Sequence, residues 1–229
     1  MEIMDKEWMS LIAEGASELM VSINEENIRS FGTHALHLSQ WNRKINLTAI
    51  TQPADMALKH YVDSLAPLSY MPLEGRVIDI GSGAGFPGIP LKIVRPTLAM
   101  TLVDSSLKKV SFLKEAIREL SLKTISAHHC RVEDFSKGPF SEERFNVAIM
   151  RAFSSLDACV KKALPLLKPD GRIIAMKGRD VSAEIETVRT AVYKDTSGQK
   201  VGGSALDIQV FSYALPRTGD GRSMVICKR

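Results

Sequence analysis

The sequence predicts an α/β protein: a seven-stranded, mostly parallel sheet covered on both faces, ending in an antiparallel hairpin and preceded by a helical extension. Three observations carry this. From Arg76 onward, apolar runs alternate with stretches of helical periodicity, the pattern of a parallel sheet wrapped by crossover helices. Gly81, Gly83 and Gly85 directly follow the first apolar run, where open α/β sheets place a ligand loop. The last two apolar runs are separated only by 216–222, too short for a crossover helix, so they should pair as a hairpin.

Residues 1 to about 72 show helical periodicity and little strand character. Trp8, Leu11, Ile12, Leu19 and Met20 share one face of a first helix. Asn24 suits the N-cap of a second helix, with Glu25 and Glu26 in its first turn. Ile28, Phe31, Ala35, Leu38 and Trp41 then face inward. The segment 46–50 breaks the pattern, and Pro53 fits the first turn of a third helix through Leu58 and His60. Expected strands follow at 77–80, 100–103, 124–127, 146–150, 172–176, 208–214 and 224–227. Helices are expected at about 88–95, 106–121, 155–166 and 181–194, the clearest stripe being Leu107, Val110, Leu113, Ile117 and Leu120. The segment 196–204, with Gly198, Gly202 and Gly203, is expected to be a mobile surface loop. This divides the chain into a helical extension at 1–72 and a sheet domain at 73–229.

At 229 residues the chain can bury a full core without staples. Its 45% apolar and 24% charged residues are those of an ordinary globular protein, and a net charge of +4 is a mild bias toward polyanions. No apolar run approaches a membrane span, and the acidic start of the chain does not read as a secretion signal. Cys130, Cys159 and Cys227 are odd in number and lack a C-x-x-C spacing, so reduced thiols, no zinc site and a cytoplasmic location are expected.

The glycine loop carries the chemistry. Dense glycines let backbone N–H groups approach a ligand where a Cβ would collide. Asp104 ends the next strand about 20 residues further on, placed to accept from ribose hydroxyls. Two patterns compete. Gly83-x-Gly85-x-x-Gly88 matches a dinucleotide fingerprint. Asp79-x-Gly81-x-Gly83-x-Gly85 instead sets an acid before three alternating glycines. The second is favoured because Gly81, not Gly83, follows the strand at once. In addition, Asp79 would repel a pyrophosphate but suits a cationic ligand, directly or through water. S-adenosylmethionine has a sulfonium, an ammonium and a ribose, and no phosphate. Five strand–helix units ending in a hairpin are also the architecture of Rossmann-like class I methyltransferases that use it.

Several segments then point to one family. In order they are 46–50 (NLTAI), His60-x-x-Asp63-Ser64-Leu65, 79–90 (DIGSGAGFPGIP), Asp104-Ser105, Arg131-Val132-Glu133, Arg151-Ala152 and Lys177-Gly178. On these the chain resembles the RsmG/GidB family of bacterial methyltransferases, which methylate guanine N7 in small-subunit ribosomal RNA. The likeness runs from about residue 24 to the C-terminus, and beyond about 180 it is one of pattern. It implies S-adenosylmethionine contacts from Gly81, Phe86, Asp104, Ser105, Val132, Glu133 and Arg151, to which the loop pattern itself adds Asp79, Gly83 and Gly85. Phe86 could offer a face to the sulfonium or close the pocket, and Val132 and Glu133 could border the adenine.

Guanine N7 has a free lone pair and no proton, so in-line transfer to it needs no general base; proximity and alignment should supply most of the rate. Candidates for action at the RNA are Arg151, Lys177 and His60, with Arg43, Lys44, Lys59 and Arg179 as further phosphate or guanine contacts. His60 could equally be a helix-packing histidine, and Lys161-Lys162 a solvated helix face. Cys159 lacks the context of a covalent pyrimidine mechanism. The expected partner is small-subunit RNA, naked, in a precursor particle or in the assembled subunit, met by a monomer with no membrane contact. The alternatives are a small-molecule methyltransferase on the same fold and a non-enzymatic nucleotide-binding regulator.

Overall fold

The computed structural model of the chain describes residues 1–135 and 144–229. Helix α1 (Lys6–Glu18) begins where the Asp5 carboxylate accepts from the Trp8 N–H at 2.8 Å, satisfying a donor that a helix start leaves open. Trp8 and Ile12 face the core as their spacing predicts. Met20 does not: past the helix end it takes a φ of +57° and is 91% exposed. Helix α2 (Glu25–Asn42) opens on the expected Asn24 cap, closed reciprocally by Asn27. The Asn27 amide also donates to the Ile93 carbonyl at 3.2 Å, tying the extension to the sheet domain.

The third helical rod, 53–70, is not uniform. It runs as α3 (Pro53–Asp55), a π-helical segment (Met56–Val62), α4 (Asp63–Leu65) and a 3-10 turn (Ala66–Tyr70). Apolar periodicity does not reveal the π-helical register, a rare device that recurs at functional sites.

Among the described residues nine strands follow: β1 (Gly75–Ile80), β2 (Leu98–Asp104), β3 (Ile125–His129), β4 (Phe145–Arg151), β5 (Leu167–Lys177), β6 (Val192–Lys194), β7 (Lys200–Gly202), β8 (Asp207–Ala214) and β9 (Gly221–Lys228). The main sheet has the order β3-β2-β1-β4-β5-β9-β8. Its first five strands are parallel, and β9 pairs antiparallel with both β5 and β8. The seven-stranded sheet and its terminal hairpin are therefore as the sequence predicts. Between the strands lie α5 (Gly88–Val94), α6 (Leu107–Glu119), α7 (Val132–Phe135), α8 (Leu156–Ala163) and α9 (Ser182–Thr190).

Two expectations change near the C-terminus. Helix α9 stops at Thr190, and the supposed loop at 196–204 contains β7, which pairs with β6 as a separate two-stranded sheet. Tyr193 and Val201 point inward from these strands, a pattern too short to stand out in the sequence. Asp195 fixes the turn by accepting from the N–H groups of Ser197 and Gln199, both at 2.9 Å. The stripe of α6 also begins one turn late, because Leu107 is 61% exposed at the helix start.

One apolar cluster joins Trp8, Phe31 and Leu38 of the extension to Val77, Leu102 and Phe112 of the sheet domain. A second, on the other sheet face, holds Ile78, Phe145, Leu156, Cys159 and Val225. Arg95 donates to the carbonyls of Leu68, Met71 and Pro72, and Arg172 to that of Tyr70, so both brace the passage from the helical rod to the sheet. Cys159 and Cys227 are buried and Cys130 half-buried, and all three are free thiols. Among the described residues no helix is long and apolar enough to cross a membrane.

Candidate active site

The site begins where β1 ends. Gly81, immediately after the strand, has φ +75°, and Gly83 and Gly85 have φ +56° and +87°, all left-handed. The resulting turn is tied to β2: the N–H groups of Gly81 and Ser82 donate to the Val103 carbonyl at 2.8 and 3.1 Å. The Asp104 carboxylate completes it, accepting from Gly83 N–H at 2.9 Å and from Ser106 N–H at 2.8 Å. The glycines divide the work. A Cβ on Gly81 would stand 2.9 Å from the Phe153 ring, whereas one on Gly85 would strike Ile89 and Leu113 at 2.5 and 3.3 Å. Gly85 is thus needed for packing, and Gly81 for the space in front of the loop.

That space is a cavity of about 360 Å³ at the C-terminal ends of the strands, lined by Gly81, Asp104, Ser105, Val132, Glu133 and Phe153 among others. Five of the expected donor-contacting residues therefore meet there. Lys162, expected as a solvated face, also lines it: its ammonium pairs with Glu133 at 2.7 Å and lies 5.2 Å from the Phe153 ring centroid. Phe153 and Lys162 belong to no motif, and only the fold brings them to this cavity.

The other residues expected to contact the donor are not among those lining this cavity. Asp79 is fully buried; one carboxylate oxygen accepts from Gly88 N–H at 2.9 Å, and the other has no partner. It therefore supports the loop from behind and does not open onto the cavity. Gly85 is likewise behind the loop. The Phe86 ring lines neither this cavity nor the next, because it is packed between elements: it stacks on His60 at 4.3 Å and meets His34 and Tyr61 edge-on. Arg151 is turned away from the first cavity altogether.

Ala152, with φ +50°, turns the chain at the end of β4. Arg151 and Phe153 then border a second cavity of about 410 Å³, and Phe153 lines both. All three residues expected to act at the RNA, Arg151, Lys177 and His60, line this second cavity, together with Asp63 and Tyr213. The Arg151 guanidinium donates to the Lys59 carbonyl at 2.8 Å, to Asp63 at 3.2 Å and to His60 Nδ1 at 3.2 Å. Since a guanidinium only donates, Nδ1 accepts and the His60 proton sits on Nε2. That nitrogen donates to the Thr48 hydroxyl oxygen at 2.9 Å. Burial and the Arg151 charge push the His60 pKa down to about 3, so it is neutral and acts as a spacer between the 46–50 segment, Phe86 and Arg151. Lys177 donates to the Ser154 carbonyl at 2.6 Å and pairs with Glu184 at 2.8 Å. Lys59 lines the second cavity and pairs with Asp55 at 2.9 Å. Arg43 lies elsewhere, on a third cavity beside α2.

Burial raises the Asp79 pKa to about 7, from an ordinary value of 3.8. The folded state then holds a proton that the unfolded state releases above pH 3.8, so Asp79 lowers stability as pH rises from about 4 to about 7. Urea midpoints of the wild type should fall relative to those of Asp79→Asn across that window and run parallel above it. A constant difference across the window would refute the assignment.

The strand ends at Ile80, so Gly81 and not Gly83 follows it at once. The N–H at the start of α5, which a dinucleotide pyrophosphate would use, is taken by Asp79. Both observations support the sulfonium-donor pattern over the dinucleotide one.

Comparison with known proteins gives a consistent result. The family model for the rRNA small subunit methyltransferase G, GidB, matches residues 27–204. The chain is 44% identical over 219 residues to the ribosomal RNA small subunit methyltransferase G of Geobacter sp. (strain M21), covering 96% of each chain. It is 39% identical over 220 residues to that of Desulforamulus reducens, covering 95% of this chain and 88% of the relative. Among solved structures, a putative O-methyltransferase from Klebsiella pneumoniae superposes with a TM-score of 0.58 at 11% identity, covering 99% of this chain and 100% of that one. Coclaurine N-methyltransferase, bound to N-methylheliamine and SAH, gives a TM-score of 0.53 at 10% identity, covering 98% and 94%. These structural likenesses establish the methyltransferase fold.

Proposed function

The chain belongs to the rRNA small subunit methyltransferase G (GidB) family, and from that premise we propose that it methylates N7 of a guanine in small-subunit ribosomal RNA, with S-adenosylmethionine as donor. The observation that carries this is the pair of cavities meeting at Phe153, one built for a nucleoside and the other lined by cations. The first fits the donor. Its front is kept open by Gly81, and each oxygen of Asp104 has accepted a single hydrogen bond, leaving lone pairs for ribose hydroxyls. Ser105, Val132 and Glu133 would border the adenine, and Gly83 acts by holding Asp104 in place. When bound, the donor supplies an electrophilic methyl group whose in-line transfer expels a neutral thioether.

The residues of the second cavity would hold the guanine. Transfer to N7 asks for no base there, because N7 has no proton to lose, and His60 is already neutral with its Nδ1 lone pair engaged by Arg151. Arg151 and Lys177 bring fixed positive charge for an RNA backbone, and the extension at 1–72 contributes Lys59 and His60 to the same wall. The protein's contribution is alignment.

Lys177→Ala should leave donor affinity within about twofold and lower the rate of methyl transfer to small subunits by about ten- to a hundredfold, the size of one charged hydrogen bond. Calorimetry with S-adenosylhomocysteine and single-turnover transfer separate the two effects. The function itself is tested by incubating labelled donor with small subunits lacking the modification and with a metabolite extract. Label in the RNA is expected; label only in small molecules would establish the alternative substrate class. Thermal stabilisation by S-adenosylhomocysteine and not by NAD is expected as well, and the reverse would identify a dinucleotide-binding module.

A further inference from the structure

The second cavity contains a group that an RNA-binding wall of cations does not need. Lys59, Arg151, Lys177, Arg222 and Tyr213 line it with hydrogen-bond donors, and Asp63 is the single carboxylate among its lining residues. Asp63 follows the π-helical segment and is only 5% exposed. One of its oxygens accepts from the Tyr213 hydroxyl at 2.9 Å, and the other from Arg151 at 3.2 Å. Arg222 stands at 3.9 Å, within ion-pair reach but beyond a hydrogen bond. A carboxylate has about four acceptor sites, so Asp63 is held rigidly with acceptor capacity left over. It comes from the helical extension, and it is pinned by Tyr213 from the terminal hairpin and Arg151 from the end of β4.

Guanine is polar in opposite senses on its two edges. N7 and O6 accept, while N1–H and the N2 amine donate. A cavity offering donors alone would draw in the N7 edge and cover the lone pair that must attack. We propose that Asp63 is a specificity-determining residue, its carboxylate accepting from the N1–H and N2 amine of the target guanine so that N7 points back across Phe153 toward the donor. This rests on the guanine-N7 function proposed above. The carboxylate would reject adenine, whose N1 is itself an acceptor. It would also stand opposite the positive charge that the base gains on methylation, and this needs no proton transfer.

The test uses the full-length protein and small-subunit RNA into which guanosine or inosine has been ligated at the methylated position, once that position is mapped. Inosine keeps N7, O6 and N1–H but lacks the N2 amine. The wild type is expected to methylate guanosine about tenfold faster than inosine in single turnover, and Asp63→Asn to lose about ten- to a hundredfold on guanosine together with most of that preference. Donor affinity should be unchanged in the variant. Tyr213→Phe, which keeps the carboxylate but removes one of the two hydrogen bonds that pin it, should reduce the preference by less than Asp63→Asn does. Equal wild-type rates on the two RNAs, or a preference preserved in Asp63→Asn, would overturn the assignment. An absence of wild-type transfer to guanosine would instead overturn the function on which it rests.

Discussion

Replacing Gly81 by valine is expected to abolish binding of S-adenosylmethionine while leaving most of the fold in place. Two independent effects combine at this residue. Its φ of +75° lies in the left-handed region, where a β-branched residue is a genuine outlier; the strain is about 1–3 kcal/mol. The added Cβ would also stand 2.9 and 3.1 Å from two atoms of the Phe153 ring, on the front of the donor cavity. Phe153 must move, and it moves within the wall shared by both cavities. Titration calorimetry with S-adenosylhomocysteine should give no measurable heat for Gly81→Val and a weakened signal for Gly81→Ala. Wild-type affinity in the valine variant would show that the donor lies elsewhere. The loop holds a milder case in Gly83, where an added Cβ meets only the Gly81 carbonyl oxygen, at 3.9 Å. There the φ of +56°, rather than lack of space, would do the damage.

Asp104→Ala should produce the second large effect, with two readouts. In the absence of donor the carboxylate already satisfies the N–H groups of Gly83 and Ser106. Alanine leaves both without that partner, at a cost to stability of about 1–3 kcal/mol. Loss of the ribose acceptor should weaken donor binding by a further amount of about 1–3 kcal/mol. Urea midpoints measure the first and calorimetry the second. A fall in stability with donor affinity unchanged would mean that Asp104 only braces the loop.

How far the sequence foretold this site depended on whether a residue's role is local. The Asp79–Gly88 loop and Asp104 lie next to strand ends, and strand ends are visible as apolar runs closed by glycine or acid. The five parallel strands and the hairpin were legible for the same reason. Phe153, Lys162 and Tyr213 were not, since each reaches its cavity only because distant elements pack together; Tyr213 meets Asp63 across 150 residues. Arg151 lies at the expected strand end, and its side chain lines the second cavity. Side-chain direction there depends on the left-handed turn at Ala152, which no periodicity encodes for an alanine. The π-helical segment was hidden because its apolar residues still read as an ordinary helix, yet the segment carries Lys59 and His60 and leads directly into Asp63.

Those placements imply a division of labour. Under the proposed function the loop and β2 would hold the donor, the helical extension and β4 would hold the acceptor, and Phe153 lines both cavities. Such a site would supply alignment and charge, which is enough for a nucleophile that has no proton to lose. The most direct test is to digest small-subunit RNA after incubation with the protein and labelled S-adenosylmethionine, and to identify the labelled nucleoside. The expected product is 7-methylguanosine alone; label on an exocyclic amine, a ribose hydroxyl or a pyrimidine carbon would contradict the account.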